Sequence, residues 1–520
     1  MNVGSLLARH ARYRRDHLAV VCGRQRLSFG EVYTRVNRFA NALLGMGLRK
    51  GDKLAIILPN CIELLDAYRA CAQIGVVSVP LSPLLRGAGL VSLLRDSDSV
   101  AVLACPAVVE ALDEARRELP QIRDDRYILA GTPVTPGYRA YDDLVASSMF
   151  LPPPTANNED EDIYNIIYSS GTTGQPKGII HTHKVRALYG SLFTGQFRVT
   201  PESVVLHAGS LVFNGAFVTL MAAWFTGCTF ILQEKFDAAE FIETVHREKV
   251  THVMMVPSQI VAVLNAPNFS AEKLRSLEML CSVGAPWHRE HKERMLAVLP
   301  TSLYELYGLT EGFITVLDRT DFARKIDSVG VPIAFTEMKI VDNEGRPLPA
   351  GEVGEIVGRS PLMMPGYYKR PDLTAQAIKD GWLFTGDLGS ADEDGYLHLV
   401  DRKKDLIISG GVNVFPKDIE EIAVQHEAVR EVAVFGVPHE KWGESPVAAV
   451  VLRSTGMIGA AELKTWINQR VAARYQQVNE VLILEDLPRS TAGKTLKRVL
   501  RDQYATLASP APERSGAPTH

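Results

Sequence analysis

Residues 168–178, which read YSSGTTGQPKG, constrain this chain more than any other stretch. They combine three glycines and four serine or threonine hydroxyls with a single lysine, Lys177. Apolar runs at 163–168 and 179–183 flank them, and both runs are typical of strands. A glycine-rich loop between strands can turn its backbone N–H groups inward and cradle an anion. Together with the hydroxyl donors and the lysine charge, this pattern predicts a polyphosphate site.

Two other interpretations fit this stretch less well. A Walker A loop ends in Gly-Lys-Ser/Thr and opens a helix, whereas Gly178 follows Lys177 here. The mechanics of P-loop NTPases therefore do not apply. The second is a solvated flexible linker, but linkers seldom lie between two apolar strands or place a single lysine after such a run. The phosphate-binding interpretation is preferred.

Composition narrows the class of protein. Hydrophobic residues make up 46% of the 520 residues and charged residues 22%, which is typical of a soluble globular chain with two or more domains. The net charge of −4 offers no basic surplus for nucleic acid or an anionic membrane. The six cysteines are scattered without a C-x-x-C pair, as expected for free thiols in a reducing compartment.

The chain also lacks the usual signals for export or membrane insertion. Its first residues have no apolar core of a secretory signal. The most apolar stretch, 217–232, is short for a membrane span. We therefore expect a cytoplasmic protein with no integral membrane segment.

Strand-like and helix-like segments alternate through 18–130 and again through 203–310. This alternation predicts an α/β fold of layered, parallel-rich sheets covered by helices. Frequent turn signals between 326 and 400 predict a small β subdomain. The predicted domains are a large N-terminal domain at 1–400, a small mobile α+β C-terminal domain at 401–505 and a disordered tail at 506–520.

Further motifs stand where predicted strands end. The Gly-Ala-Pro segment at 284–286 leaves room for a flat ring against the backbone. The run 304–311, YELYGLTE, closes the next strand. In it Tyr307 can stack on a base, Thr310 can bond a phosphate, and Glu311 can hold Mg²⁺ as a hard oxygen ligand.

Three later motifs add charged groups. Asp387 follows a Thr-Gly turn and suits a ribose diol, Asp401-Arg402 offers a second carboxylate and a guanidinium fork, and Lys494 stands on a loop near the end of the chain. Taken singly, each has an ordinary structural interpretation as a turn residue or solvated side chain. Their occurrence in this order after the phosphate loop favours a functional role.

Because of these motifs, the chain resembles the adenylate-forming (ANL) superfamily of acyl-CoA synthetases, free-standing adenylation domains and beetle-type luciferases. The resemblance spans most of the chain and rests on five ordered motifs, at 168–178, 307–311, 385–387, 401–411 and 489–494. It implies an active site between a large and a small domain. It also implies ATP and Mg²⁺ as cofactors and coenzyme A as co-substrate.

The resemblance further implies residue roles. Thr172, Thr173 and Lys177 would lie on the ATP phosphates. The whole nucleotide and cofactor set would be Ser169, Ser170, Gly171, Thr172, Thr173, Gly174, Lys177, Gly284, Ala285, Pro286, Glu305, Tyr307, Gly308, Asp387, Arg402, Ser409, Gly410 and Gly411. Within it, residues 284–286 and Tyr307 would hold adenine, Asp387 and Arg402 the ribose, and residues 409–411 would face the site during thioester formation.

The catalytic roles implied by the resemblance fall on three residues. Thr310 would bind the α-phosphate, Glu311 would bind Mg²⁺, and Lys494 would bridge carboxylate and phosphate during adenylation. Asp401 would be the hinge between two poses of the small domain.

The acid would occupy a pocket lined by Asn214, Gly215, Val256, Val283, Gly308, Leu309 and Val316. This lining looks apolar, which predicts a fatty or an aryl acid. Amino-acid-activating relatives place an Asp at about position 214 to bind the substrate amine. Asn214 carries no charge, which argues against an α-amino acid. Many relatives carry a His ahead of the glycine where this chain reads Phe213-Asn214-Gly215.

We therefore expect an ATP-dependent, AMP-forming carboxylic acid:CoA ligase that acts on small molecules and can form a homodimer. One alternative is a stand-alone enzyme that loads a carrier protein in trans. Another is a luciferase-like oxygenase, and a third is a nucleotide sensor without turnover. The presence of both Glu311 and Lys494 argues against the sensor. His181 and His183 would share one face of a strand, but a zinc site would need a third ligand.

Overall fold

The computed structural model describes residues 1–133, 135–154, 156–169, 177–403, 405–409, 412–439, 441–489 and 495–508. The chain forms two compact units. The first comprises Met1–Lys339, Val357–Thr385 and Asp392–His398, and the second comprises Ile340–Ile356, Gly386–Ala391 and the residues from Leu399 onwards.

Helices and strands alternate along the chain. The helices are α1 (Ser5–Tyr13), α2 (Phe29–Gly45), α3 (Ile62–Ile74), α4 (Gly87–Asp96), α5 (Val109–Arg116), α6 (Tyr141–Ser147), α7 (His183–Phe197), α8 (Asn214–Thr226), α9 (Ala238–Glu248), α10 (Pro257–Leu264), α11 (Ala271–Leu274), α12 (Arg289–Val298), α13 (Pro371–Ala377), α14 (Pro416–Ala423), α15 (Ala460–Asn468) and α16 (Lys497–Ala508). The strands are β1 (Leu18–Cys22), β2 (Gln25–Ser28), β3 (Lys53–Ile57), β4 (Val77–Pro80), β5 (Ser99–Ala104), β6 (Tyr127–Leu129), β7 (Arg139–Ala140), β8 (Ile163–Ser169), β9 (Lys177–Thr182), β10 (Val204–His207), β11 (Thr229–Leu232), β12 (His252–Met255), β13 (Met279–Val283), β14 (Leu303–Gly308), β15 (Ile314–Leu317), β16 (Val331–Pro332), β17 (Glu337–Val341), β18 (Gly354–Arg359), β19 (Ile378–Lys379), β20 (Trp382–Ala391), β21 (Leu397–Arg402), β22 (Ile407–Ser409), β23 (Val412–Val414), β24 (Val429–His439), β25 (Gly443–Leu452) and β26 (Glu480–Leu484).

Two large sheets build the first unit. The nine-stranded sheet has the order β16-β15-β14-β13-β12-β10-β11-β1-β2, and the run from β14 to β1 is parallel. The seven-stranded sheet has the order β7-β6-β5-β3-β4-β8-β9, with only β8 and β9 antiparallel among the pairs described. The α/β class expected from the sequence is thus confirmed. In such sheets the carboxyl ends of the parallel strands meet at one edge, where ligands bind.

A layer of nearly all-buried helices lies between these two sheets. Ten of the thirteen residues of α8 are buried, and eleven of the thirteen residues of α3 are buried as well. A helix that is apolar on every side is stable only when neighbours cover every side. One hydrophobic cluster accordingly joins these helices to strands of both sheets.

Helix ends follow the local sequence. α2 begins with a capping box, in which the Glu31 N–H donates to the Ser28 hydroxyl and the Ser28 N–H donates to the Glu31 carboxylate at 2.8 Å. α3 ends at Gly75, whose φ of 73° is left-handed. A Cβ at Gly75 would also lie 2.6 Å from Asn158 Oδ1, so the position requires glycine.

Two smaller sheets complete the fold. A five-stranded sheet of order β17-β18-β20-β19, with β21 paired to β20, accounts for the β-rich region expected between 326 and 400. In the second unit, β24 and β25 form a long antiparallel pair, with β22 and β26 also beside β25. Across the described ranges, none of the helices has both the length and the apolar character needed to cross a bilayer.

One predicted strand end is wrong. The sequence predicts a strand through His183, but β9 ends at Thr182 and His183 is the first residue of α7. The Thr182 hydroxyl caps that helix by accepting from the Val185 N–H at 3.2 Å. His181 and His183 therefore do not share a strand face, because a helix cap interrupts the alternation between them.

Two of the charges that the first unit buries differ in their partners. Asp66 is 1% exposed, and its Oδ2 accepts from Arg35 Nε and from the Tyr141 hydroxyl, both at 2.9 Å. Arg186 on α7 is fully buried, and Nε donates to Asn165 Oδ1 at 3.2 Å.

The Arg186 guanidinium is packed against aromatic rings. Its carbon lies 4.1 Å from the ring centre of Phe217 and 4.9 Å from that of Tyr189. Both Nη atoms lack a hydrogen-bond partner within the described ranges, and the titratable groups that act on Arg186 are phenols. Burial lowers the pKa of Arg186 to about 10, so the group stays charged at neutral pH.

Removal of the charge at these two sites should cost different amounts of stability. Asp66→Ala leaves the buried Tyr141 hydroxyl without this acceptor and leaves Arg35 to its longer contact with Glu63, at 3.6 Å, so we expect it to cost about 3–5 kcal/mol of unfolding free energy. Arg186→Met removes a buried charge with no carboxylate partner and keeps similar volume, so we expect a cost below about 1.5 kcal/mol. Urea unfolding followed by circular dichroism measures both. Equal losses would mean that the Arg186 charge is compensated.

Candidate functional site

The carboxyl ends of neighbouring parallel strands carry the predicted nucleotide residues of the first unit. β13 ends at Val283 and is followed by the Gly-Ala-Pro segment 284–286, in which Gly284 has a φ of 89°. The adjacent strand β14 contains Tyr307 and ends at Gly308. A Cβ on Gly308 would lie 2.7 Å from the Phe313 carbonyl, so this position requires glycine.

Thr310 and Glu311 follow β14 and approach the other large sheet. His181 on β9 and the backbone oxygen of Thr310 are 2.9 Å apart at Nε2. Because a carbonyl only accepts, the Nε2–H of His181 is the donor. Burial, with the nearby Arg186, holds the pKa of His181 well below its usual range, so the ring is neutral. This bond fixes the loop after β14 to the strand that begins with Lys177.

Tyr367 joins Glu311 to Lys177. Its hydroxyl donates to Glu311 Oε1 at 2.8 Å, and Lys177 Nζ lies 5.3 Å from its ring centre. The structure thus brings together three residues that the sequence analysis predicted, Lys177, Thr310 and Glu311. The tyrosine that they surround was not predicted. Tyr367 follows a Pro-Gly pair in the region predicted to form a small β subdomain, and no local pattern points to it.

Glu305, which was assigned to the nucleotide set, has a partner inside the fold. Its carboxylate is 2.5 Å from Lys292 Nζ of α12, and both side chains are 6% exposed. Lys292 also donates to the Ile326 carbonyl at 2.7 Å. The structure therefore gives Glu305 a buried ion pair beneath the strand end.

The residues predicted to line the acid pocket lie at the start of α8 and at or near the ends of strands. Asn214 Nδ2 donates to the Tyr189 hydroxyl at 3.1 Å, and its Oδ1 has no hydrogen-bond partner in the part of the chain that the structure describes. A Cβ on Gly215 would meet open space. Val256, Val283 and Leu309 are half-buried, whereas Val316 is buried on β15 opposite Leu306.

In the second unit, Asp387 and Arg402 lie together. Arg402 Nε is 3.5 Å from Asp387 Oδ1. The Asp401 carboxylate accepts from its neighbour's N–H at 2.7 Å and from the Lys417 N–H at 3.2 Å. Burial raises the pKa of Asp401 despite the nearby Lys497 charge. Ser409 is buried at the end of β22.

Several predicted residues lie outside the described ranges: Ser170, Gly171, Thr172, Thr173, Gly174, Gly410, Gly411 and Lys494. The backbone of Ser169 closes β8. The roles assigned to these residues remain predictions from the sequence.

Family models match both parts of the chain. The model of the AMP-binding enzyme matches residues 7–368, and the model of the AMP-binding enzyme C-terminal domain matches residues 418–494. These matches cover the strand-end cluster and most of the second unit's sheet.

Individual relatives match over nearly their whole length. Feruloyl-CoA synthase of an Amycolatopsis species is 34% identical over 513 residues, which are 96% of this chain and 99% of that protein. Long-chain-fatty-acid–CoA ligase FadD13 of Mycobacterium tuberculosis is 31% identical over 485 residues, 92% of this chain and 93% of that one. The crystal structure of ATP-bound MatB from Rhodopseudomonas palustris has a TM-score of 0.87 at 28% identity and covers 98% of this chain and 100% of its own.

These matches agree with the motif order and with the sheet-edge cluster. The chain belongs to the adenylate-forming superfamily of AMP-binding enzymes, and within it to the AMP-forming acid–thiol ligases, the acyl-CoA synthetases.

Proposed function

We propose that this enzyme activates a fatty or aryl carboxylic acid with ATP and transfers the acyl group to coenzyme A. The products are acyl-CoA, AMP and diphosphate. The observation that supports this proposal is the cluster at the edge where two sheets meet, where Tyr367 contacts both the Lys177 ammonium and the Glu311 carboxylate and His181 holds the backbone of Thr310.

The chemistry explains why such a cluster is needed. A carboxylate is a poor acylating agent because its leaving group is oxide. Attack on the α-phosphorus of ATP makes AMP the leaving group instead. The two reacting anions repel each other, so cations must offset their charge in a site with little water. Lys177 and Lys494 would supply two of the positive charges, and Thr310 a hydrogen bond to the α-phosphate.

Magnesium fits the donors at this site. The described ranges contain no group of three or more His, Cys, Asp or Glu that could hold a metal ion. Mg²⁺ is commonly held by one or two carboxylates together with substrate phosphates. Glu311 would supply the carboxylate, with Oε1 already bonded to the Tyr367 hydroxyl. Bound there, Mg²⁺ would offset the phosphate charge.

The acid site is proposed around Asn214, Gly215 and the half-buried side chains at the strand ends. The names of the two relatives represent the two expected classes of acid. One is named for feruloyl-CoA, an aryl product, and the other for long-chain fatty acids. Asn214 is neutral and already bonded to Tyr189, so it offers no charge for a substrate amine. An acid without an α-amino group is therefore favoured.

The remaining roles are proposed from the motif order. Gly284, Ala285, Pro286 and Tyr307 would hold adenine, and Asp387 with Arg402 the ribose. Residues 409–411 would serve thioester formation, and Asp401 would be the hinge. We also propose a cytoplasmic enzyme that can form a homodimer.

The first prediction concerns the reaction itself. Diphosphate release should depend on both ATP and an acid from a panel of aliphatic and aryl acids. AMP turnover should rise when coenzyme A is added without any protein acceptor, because free CoA would then be sufficient to release the acyl group. A coupled diphosphate assay with chromatography of acyl-CoA measures this. Adenylate formation that yields no acyl-CoA would point to a carrier protein as acceptor.

The second prediction concerns the acid pocket. Gly215→Leu adds volume where a Cβ meets open space, so the fold should tolerate it. It should exclude the longer or bulkier acids of the panel and leave the KM for ATP unchanged. Gly195→Leu is the matched control, because Gly195 is also helical and open but lies on the exposed side of α7. Unchanged acid preference in Gly215→Leu would remove this position from the pocket.

The third prediction concerns Lys494. A preorganised donor at a developing charge typically contributes a factor on the order of 10²–10³ in rate. Lys494→Ala should lower diphosphate release by roughly that factor. Conversion of a supplied acyl-adenylate to acyl-CoA should fall much less, because the small domain turns Lys494 away after adenylation. Equal losses in the two half-reactions would show that Lys494 is structural or contacts CoA.

A further inference from the structure

The segment 364–368 links the strand that carries Lys177 to the loop that carries Glu311. The Met364 N–H donates to the Glu311 carbonyl at 2.9 Å, and the Tyr368 N–H donates to the Gly178 carbonyl at 2.7 Å. Tyr367 itself forms an isolated bridge with Ile179 of β9. The backbone on both sides of Tyr367 is therefore fixed to the two elements that form the site.

The Tyr367 side chain contacts both proposed charged groups. It is 8% exposed and packs with Ile179 and Met364. Its hydroxyl bonds Glu311 Oε1 at 2.8 Å, and Lys177 Nζ lies 5.3 Å from its ring centre. A cation within about 6 Å of a ring centre is attracted by the ring quadrupole. One side chain thus holds a carboxylate at its edge and an ammonium near its ring.

This arrangement keeps opposite charges apart. Lys177 and Glu311 do not form a direct ion pair with each other in the described structure, although both contact the same ring. In the bond between Tyr367 and Glu311 the tyrosine hydroxyl is the donor, because a carboxylate only accepts. The bond to Oε1 also orients the other carboxylate oxygen, because it restricts the rotation of a flexible side chain.

We propose that Tyr367 is a positioning residue of the nucleotide site. Its hydroxyl orients Glu311 toward a divalent cation, and its ring prevents Lys177 from neutralising Glu311. This inference rests on the proposed roles of Lys177 and Glu311, and it adds a residue to which no motif assigned a role.

The test separates the hydroxyl from the ring. Tyr367→Phe keeps the ring and removes the donor, whereas Tyr367→Leu removes both. Tyr368→Phe is the matched control, because the Tyr368 hydroxyl donates to Asp98 at 2.8 Å and does not contact Glu311. The measurements are binding of Mn²⁺·ATP, by electron paramagnetic resonance of free and bound Mn²⁺, and binding of ATP in EDTA, by calorimetry.

Loss of a group that orients a metal ligand typically weakens metal affinity by 10-fold or more, so Tyr367→Phe should raise the Kd for Mn²⁺·ATP by about tenfold. Its Kd for metal-free ATP should stay at the wild-type value, because the ring still separates the charges. Tyr367→Leu should also raise the Kd for metal-free ATP by about fivefold, because Lys177 would then form an ion pair with Glu311. Tyr368→Phe should match the wild type in both measurements.

Three outcomes would overturn the proposal. In the first, Tyr367→Phe binds Mn²⁺·ATP as tightly as the wild type, which would leave the proposed function intact. In the second, Tyr367→Phe raises the Kd for Mn²⁺·ATP and for metal-free ATP equally, as expected of general structural damage. In the third, Tyr367→Leu binds metal-free ATP normally. A wild type that binds neither form of ATP would instead contradict the proposed function itself, and this inference with it.

Discussion

The hydrogen bond from His181 to the Thr310 carbonyl is the contact on which the candidate site depends. It joins residues 129 positions apart, one on the seven-stranded sheet and one just after the nine-stranded sheet. Together with segment 364–368, this contact holds the lysine that opens β9 and the carboxylate that follows β14 close to each other. A neutral imidazole suits the role, because burial disfavours the charged ring and leaves one N–H to donate.

The sequence predicted the elements better than the contacts between them. The alternation of strands and helices over 18–130 and 203–310 and the β-rich region between 326 and 400 follow from local signals. Apolar periodicity and glycine punctuation determine them within a few residues. The end of β9 was missed because the Thr182 cap outweighed the apolar run before it. A cap is itself a local signal, but it competes here with strand propensity.

The candidate site was predictable only where a motif carried the chemistry. Lys177, Thr310 and Glu311 were found because their residue types and positions after strands indicate phosphate and metal binding. Tyr367 lies 56 residues from Glu311 and was not found, since nothing in its neighbours specifies a hydroxyl aimed at a carboxylate. Glu305 shows the converse case. It stands in the right motif, yet a buried lysine from α12 occupies its carboxylate, which only the tertiary structure reveals.

The aromatic packing around Arg186 links the proposed acid pocket to the charge balance of the core. Phe217 lies one helical turn after Asn214 on α8, and its ring covers the guanidinium at 4.1 Å. Efforts to widen the pocket for larger acids would naturally shorten side chains along this helix. Replacing Phe217 would then remove an aromatic ring from a buried cation and admit water beside it. Redesign of acid specificity along α8 therefore has to include Arg186, because shape and charge cannot be changed independently at that turn.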